Sequence, residues 1–126
     1  MQTRTERIQK DIETLAQFTS TPGKGVTRSS YSKEDTMAKY YLTGEMKKIG
    51  LEIYEDGFGT LFGRREGTMK DAPVVMLGSH YDSVVNGGAF DGVAGSVSAL
   101  EVMRVLTEEG FVNDYPLELI LMNAEE

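Results

Sequence analysis

Between residues 4 and 18 the apolar positions recur at helical spacing. Ile8, Ile12, Leu15 and Ala16 share one face, and charged side chains occupy the other, which predicts a first helix. The stretch TSTPGKGVTRSSYS, 19–32, breaks the period with a proline, glycines and hydroxyls and reads as a loop. A second helix is predicted from Ser32, where the order Ser-Lys-Glu-Asp resembles a capping box with Asp35 in the N3 place. Ala38, Tyr41, Leu42, Met46 and Ile49 mark its apolar face, and Gly50 suits its end. LEIYEDGFGTLFGRREG reads as two short strands about the turn Asp56-Gly57. The run VVMLG, 74–78, is apolar throughout, which predicts a central strand buried on both faces. Residues 92–109 form a helix that is apolar nearly all round, Gly110 ends it, and LELILM, 117–122, is a further strand. A strand, a helix and a strand in that order predict a right-handed crossover and a parallel pair, so the class is α/β.

Composition changes this picture little. The 126 residues suit one domain, and 40% of them are apolar, enough for a core. A net charge of −7 argues against nucleic acid and anionic membrane as partners, since both require a basic face. Lys47-Lys48 and Arg64-Arg65 are too short to supply one. Without cysteine there is no disulfide and no thiolate chemistry. The first ten residues are polar and charged, which predicts no secretory leader, and no apolar run approaches the roughly 20 residues of a membrane span. The expected location is the cytoplasm.

Candidate chemistry concentrates in GSHYDSVVNGGAFDGVAG, 78–95, which contains the only histidine, His80, with Asp82 and Asp91, and in NAEE, which ends in Glu125 and Glu126. In an open α/β sheet, ligands bind beyond the carboxyl ends of the strands. His80 follows one strand, the Glu pair follows the next, and Asp91 opens the connecting helix, whose positive dipole end favours a carboxylate. Three segments thus deliver an imidazole and carboxylates to one edge, a donor set that suits a divalent metal such as zinc. Three other readings compete. Ser79, His80 and Asp82 name a hydrolytic triad, but neighbours on an extended chain point to opposite sides. The glycines suggest a phosphate cradle, but they match no nucleotide fingerprint and Asp91 would repel phosphate. Taken alone, His80 reads as a hydrogen-bonded loop histidine beside a solvated acidic rim; the set taken together favours metal.

These same residues carry a family resemblance. GSHYDSVVNGGAFDGVAG resembles the metal motif of the M20 family of zinc peptidases and amidohydrolases. The stretch GVTRSSYSKEDTMAKYYLTGEMKKIGLEIYEDGFGTLFGR, 25–64, is similar to the branch holding N-carbamoyl-L-amino-acid hydrolases, allantoate amidohydrolases and some β-ureidopropionases. The resemblance implies a three-layer αβα metallopeptidase-like catalytic domain with a mainly parallel central sheet. It implies two divalent metal ions, zinc first, with manganese, cobalt or nickel as alternatives. It makes His80 a ligand of one metal, Asp91 the bridging carboxylate and Glu126 a ligand of the second metal. Glu125 becomes the general base, and Asp82 the carboxylate that orients His80. Arg28, in GVTR, has no role assigned.

The resemblance also implies the remaining sheet, a lid-like domain carrying a homodimer contact, and further histidines. With one histidine here, residues 1–126 are expected to be the N-terminal portion of the catalytic domain of a larger enzyme. The expected activity is hydrolysis of a linear carbamoyl or ureido C–N bond in a small molecule, with N-carbamoyl-L-amino acids as substrate. The alternatives are an allantoate amidohydrolase and a non-catalytic binding module that kept the scaffold. The piece alone is expected to be inactive, to bind metal weakly and to leave strand 117–122 as an unpaired edge.

Overall fold

A computed structural model describes residues 1–126. Three helices, α1 (Thr5–Ala16), α2 (Lys33–Lys48) and α3 (Val93–Glu108), pack on a four-stranded sheet of β1 (Glu52–Glu55), β2 (Leu61–Arg65), β3 (Val75–His80) and β4 (Leu117–Met122). The strand order is β1-β2-β4-β3. The capping serine is as expected: Ser32 Oγ accepts from Asp35 N at 3.1 Å. Asp35, however, reaches back to the amide of Tyr31 at 3.0 Å instead of that of Ser32.

β3 and β4 pair in parallel across α3, as the crossover predicts. The sheet as a whole is mixed, where a mainly parallel one is expected. β1–β2 and β2–β4 are both antiparallel, because the short turn at Asp56 makes a hairpin and the hairpin lies against β4. Two further expectations are corrected. β4, expected at an exposed edge, lies inside the sheet between β2 and β3. β3, expected to be central and doubly buried, is the edge strand, with Val75 and Met76 each 49% exposed. An apolar run signals what a strand can bury, and within residues 1–126 nothing covers that end of β3.

The apolar faces of all three helices meet in one cluster. Leu15, Leu42, Met46, Val97, Leu100 and Met103 close over Leu61, Leu119 and Leu121 of the sheet. One helical layer therefore covers one face. The register places Phe62, Arg64, Glu118 and Met76 on the other face, where Phe62 stacks on Tyr54. The close approach of β3 to β4 requires Gly78: a Cβ there would sit 1.7 Å from the Ile120 carbonyl oxygen.

Buried charges join the helices. Arg104 on α3 donates to Asp11 on α1 at 2.5 Å and to Glu45 on α2 at 2.7 Å, and Tyr41 donates to Asp11 at 2.6 Å. Burial pushes the Glu45 carboxyl up, but hydrogen bonds from Lys48 and Arg104 outweigh it and hold the group below the ordinary carboxylate range. A depressed folded-state value means that Glu45 contributes stability above its unfolded value, and that the contribution disappears as pH falls through the folded value. Melting temperature is therefore expected to drop below about pH 4. Glu45→Gln is expected to lower it at neutral pH and to flatten part of that acid limb, which thermal melts of both proteins from pH 7 to pH 3 would check.

Candidate metal centre

The site is built where β3 and β4 end side by side. His80 is the last residue of β3 and pairs with Met122, the last of β4. Ser96, in the first turn of α3, donates to the His80 carbonyl at 2.8 Å, which ties the strand end to the helix. Asp91 lies in the loop that enters α3, just before Gly92. Beyond β4 the chain turns at Ala124, whose φ of +57° is left-handed, and presents Glu125 and Glu126. His80 and Asp82 are buried; Asp91, Glu125 and Glu126 are exposed.

These segments converge. One donor atom from each of His80, Asp91 and Glu126 lies within 4.8 Å of the other two. His80 Nε2 is 3.6 Å from an Asp91 oxygen and 3.6 Å from a Glu125 oxygen. The two adjacent glutamates thus both reach this rim. On the opposite edge of the ring, His80 Nδ1 lies 3.3 Å from Asp82 Oδ1 and 3.2 Å from the Asp82 carbonyl oxygen. With two acceptors beside Nδ1, Nε2 is the ring nitrogen that faces the Asp91 and Glu125 carboxylates. Ser79, by contrast, lies against Gly95 of α3, which leaves no serine nucleophile beside the imidazole.

Asp82 touches more than His80. Its Oδ2 accepts from the backbone N–H of Glu126 at 3.1 Å and from Ser30 Oγ at 3.3 Å. One carboxylate therefore links the ends of β3 and β4. Oδ1 is buried 3.3 Å from the imidazole Nδ1 and makes no well-formed hydrogen bond. Asp82→Asn is expected to weaken zinc binding roughly 10- to 100-fold while the domain stays folded. The chain has one histidine, so its ring NMR signals in a zinc titration report the site directly, and a melting curve beside it reports the fold. Lost stability with unchanged zinc affinity would reduce Asp82 to a turn residue.

The electrostatics favour a cation. Four carboxylates surround one imidazole. The Glu126 carboxyl is raised above its ordinary value, by desolvation first and by the Asp91 charge next. An imidazole and carboxylate oxygens are the donors that zinc and its neighbours in the series accept, so the residues present fit a divalent metal ion.

Sequence reasoning left Arg28 and Ser30 without partners. Arg28 reaches Tyr81, 53 residues on, and Ser30 reaches Asp82, 52 residues on, and no local pattern in the 19–32 loop points there.

Comparison with known proteins adds three kinds of finding. The model of peptidase family M28 matches residues 60–126. N-carbamoyl-L-amino-acid amidohydrolase from Paenarthrobacter aurescens is 49% identical over 121 residues, which are 96% of this chain and 29% of that protein. Allantoate amidohydrolase from Bacillus subtilis is 38% identical over 115 residues, 91% of this chain and 28% of that protein. A crystal structure of a hydantoinase/carbamoylase family amidase from Burkholderia ambifaria superposes with a TM-score of 0.93 at 34% identity, covering 98% of this chain and 31% of the other. The chain thus spans less than a third of the length of these relatives.

Proposed function

This chain belongs to peptidase family M28 and forms an M28/M20-like hydrolase domain, and from that premise we propose that it supplies the metal-holding core of an amidohydrolase. The substrate is a linear carbamoyl or ureido compound, with N-carbamoyl-L-amino acids first and allantoate second, in keeping with the names of the relatives. The observation that carries this reading is the convergence of His80, Asp91 and Glu126, from three segments, at the carboxyl ends of β3 and β4.

His80 Nε2 and the Asp91 and Glu126 carboxylates would hold the metal, with Asp91, as the family resemblance implies, the carboxylate that two ions would share. The ion, zinc or a neighbouring divalent metal, supplies Lewis-acid polarisation of the scissile carbonyl and a lowered pKa for water. Glu125 takes a proton from the water that attacks the carbonyl carbon and delivers it to the leaving nitrogen. Its carboxylate lies 3.6 Å from the imidazole that it would share the site with. The Asp82 main-chain carbonyl, beside Nδ1, favours the tautomer that leaves Nε2 free for metal, and its carboxylate, through the Glu126 amide, keeps both strand ends in register. One imidazole and two carboxylates are too few to fill two metal shells.

The test is an assay of the complete protein with N-carbamoyl-L-amino acids and with allantoate, before and after chelation and after zinc is restored. Turnover that is lost on chelation and recovered with zinc supports the reading, and the faster substrate identifies the branch. Undiminished turnover after complete metal removal would sink it. Zinc binding at His80 with no hydrolysis of either compound would favour the non-catalytic binding module. Residues 1–126 alone are expected to hydrolyse neither.

A further inference from the structure

We propose that Arg28 is a positioning residue for the metal centre: its guanidinium fastens the carbonyl of Tyr81, between His80 and Asp82, to the end of α1. The inference rests on the metal reading of His80, Asp91 and Glu126.

Arg28 is 1% exposed, the largest side chain buried to that degree. It has no carboxylate at ion-pairing distance; its hydrogen bonds go to the backbone. Nε donates to the Tyr81 carbonyl at 2.7 Å, and Nη1 donates to the carbonyls of Leu15 at 2.6 Å and Phe18 at 3.1 Å. Its own main chain is engaged as well. Arg28 N donates to Ser83 Oγ at 2.9 Å, and its carbonyl accepts from Ser83 N at 3.0 Å. A two-way bridge follows at Val26 and Gly87. The loop that carries Arg28 is therefore fastened alongside the loop that leaves β3, with contacts at Tyr81 and Ser83 on either side of Asp82.

Burying a guanidinium without a direct counter-ion is costly, and burial pulls its proton affinity down, against the more distant charges of Asp35 and Asp82. The site offsets that cost in two ways. The carbonyls at the end of α1 carry the negative end of the helix dipole and lack a full set of helical partners. The Tyr81 carbonyl accepts from a charged donor, and such a bond is strong and short. The fork of arginine is needed, because Nε and Nη1 address two different elements; a lysine ammonium keeps the charge but serves one point. With that clamp the backbone from His80 to Ser83 has one orientation, and the imidazole edge and Asp82 inherit it.

The test compares the complete wild-type protein with its Arg28→Lys variant by amide hydrogen exchange and by zinc titration of the His80 ring signals. Exchange at Tyr81 and Ser83 is expected to accelerate at least about 10-fold relative to the β1–β2 amides, and half-saturation by zinc to need about 10-fold more metal, the scale of an outer-shell loss. Should Arg28→Lys fail to fold, Ser83→Ala, which removes the hydroxyl that accepts from Arg28 N and bonds the Val26 and Val84 carbonyls, is read in the same way. Acceleration spread evenly over the sheet, or unchanged exchange and zinc affinity in a folded variant, would overturn the inference. A complete wild-type protein whose His80 signals ignore zinc, with local loosening at Tyr81 and Ser83 still seen in the variant, would overturn the metal reading and leave the clamp standing.

Discussion

Replacing Glu125 by Gln in the complete enzyme is expected to lower turnover at least about 100-fold, the low end for general acid–base catalysis, with metal content unchanged. Glutamine keeps the size and polarity of the side chain and removes the basic carboxylate. Glu125 is exposed at the rim, so its loss leaves no buried charge uncompensated and the fold has little to lose. Glu126→Gln is the control. Glu126 shares the three-donor cluster with His80 and Asp91, so its substitution is expected to reduce metal content instead. The structure sharpens this comparison, because Glu125 also stands 3.6 Å from His80 Nε2. Metal analysis and rates on both variants decide it, and equal metal loss in the two would refute the division of roles.

Gly92→Ala is expected to weaken zinc binding by more than about 100-fold, beyond the range for losing an outer-shell partner. A Cβ on Gly92 would stand 2.4 Å from His80 Cε1 and Nδ1 and 2.5 Å from Nε2. The ring cannot retreat far, since Asp82 borders its other edge. Either the imidazole turns out of the cluster or the entry to α3 shifts and takes Asp91 with it. Gly92 also has φ +61°, where a residue with a Cβ costs about 1–2 kcal/mol. A modest fall in melting temperature should thus accompany a large loss at His80 in the zinc titration. Unchanged zinc affinity would mean that the ring moves aside freely and that its orientation in the metal-free chain does not matter for binding.

Much of the architecture was legible in the sequence, for local reasons. LELILM coincides with β4, the hairpin lies where Asp56-Gly57 puts it, and α1, α2 and α3 follow the helical periods. The handedness rule for crossovers then sufficed to bring His80, Asp91 and the Glu pair to one edge. The order of the strands was not legible. VVMLG has the composition of an interior strand, yet β3 lies at the edge and the hairpin claims the far side of β4. Strand order depends on which edges find partners, and an apolar run carries no record of that.

The sequence by itself determined the inventory of donors and the strand ends that carry them, because side-chain type and hydrophobic period are properties of short segments. Only the tertiary structure decided how those donors are held. The bond from the Glu126 amide to Asp82, the close fit of Gly92 against the His80 ring, and the clamp of Arg28 on Tyr81 each join residues from different segments. Their geometry arises when α1, the 19–32 loop and the ends of β3 and β4 close on one core. A hydrogen bond needs its partners within a few tenths of an ångström, and packing across the whole domain sets that distance.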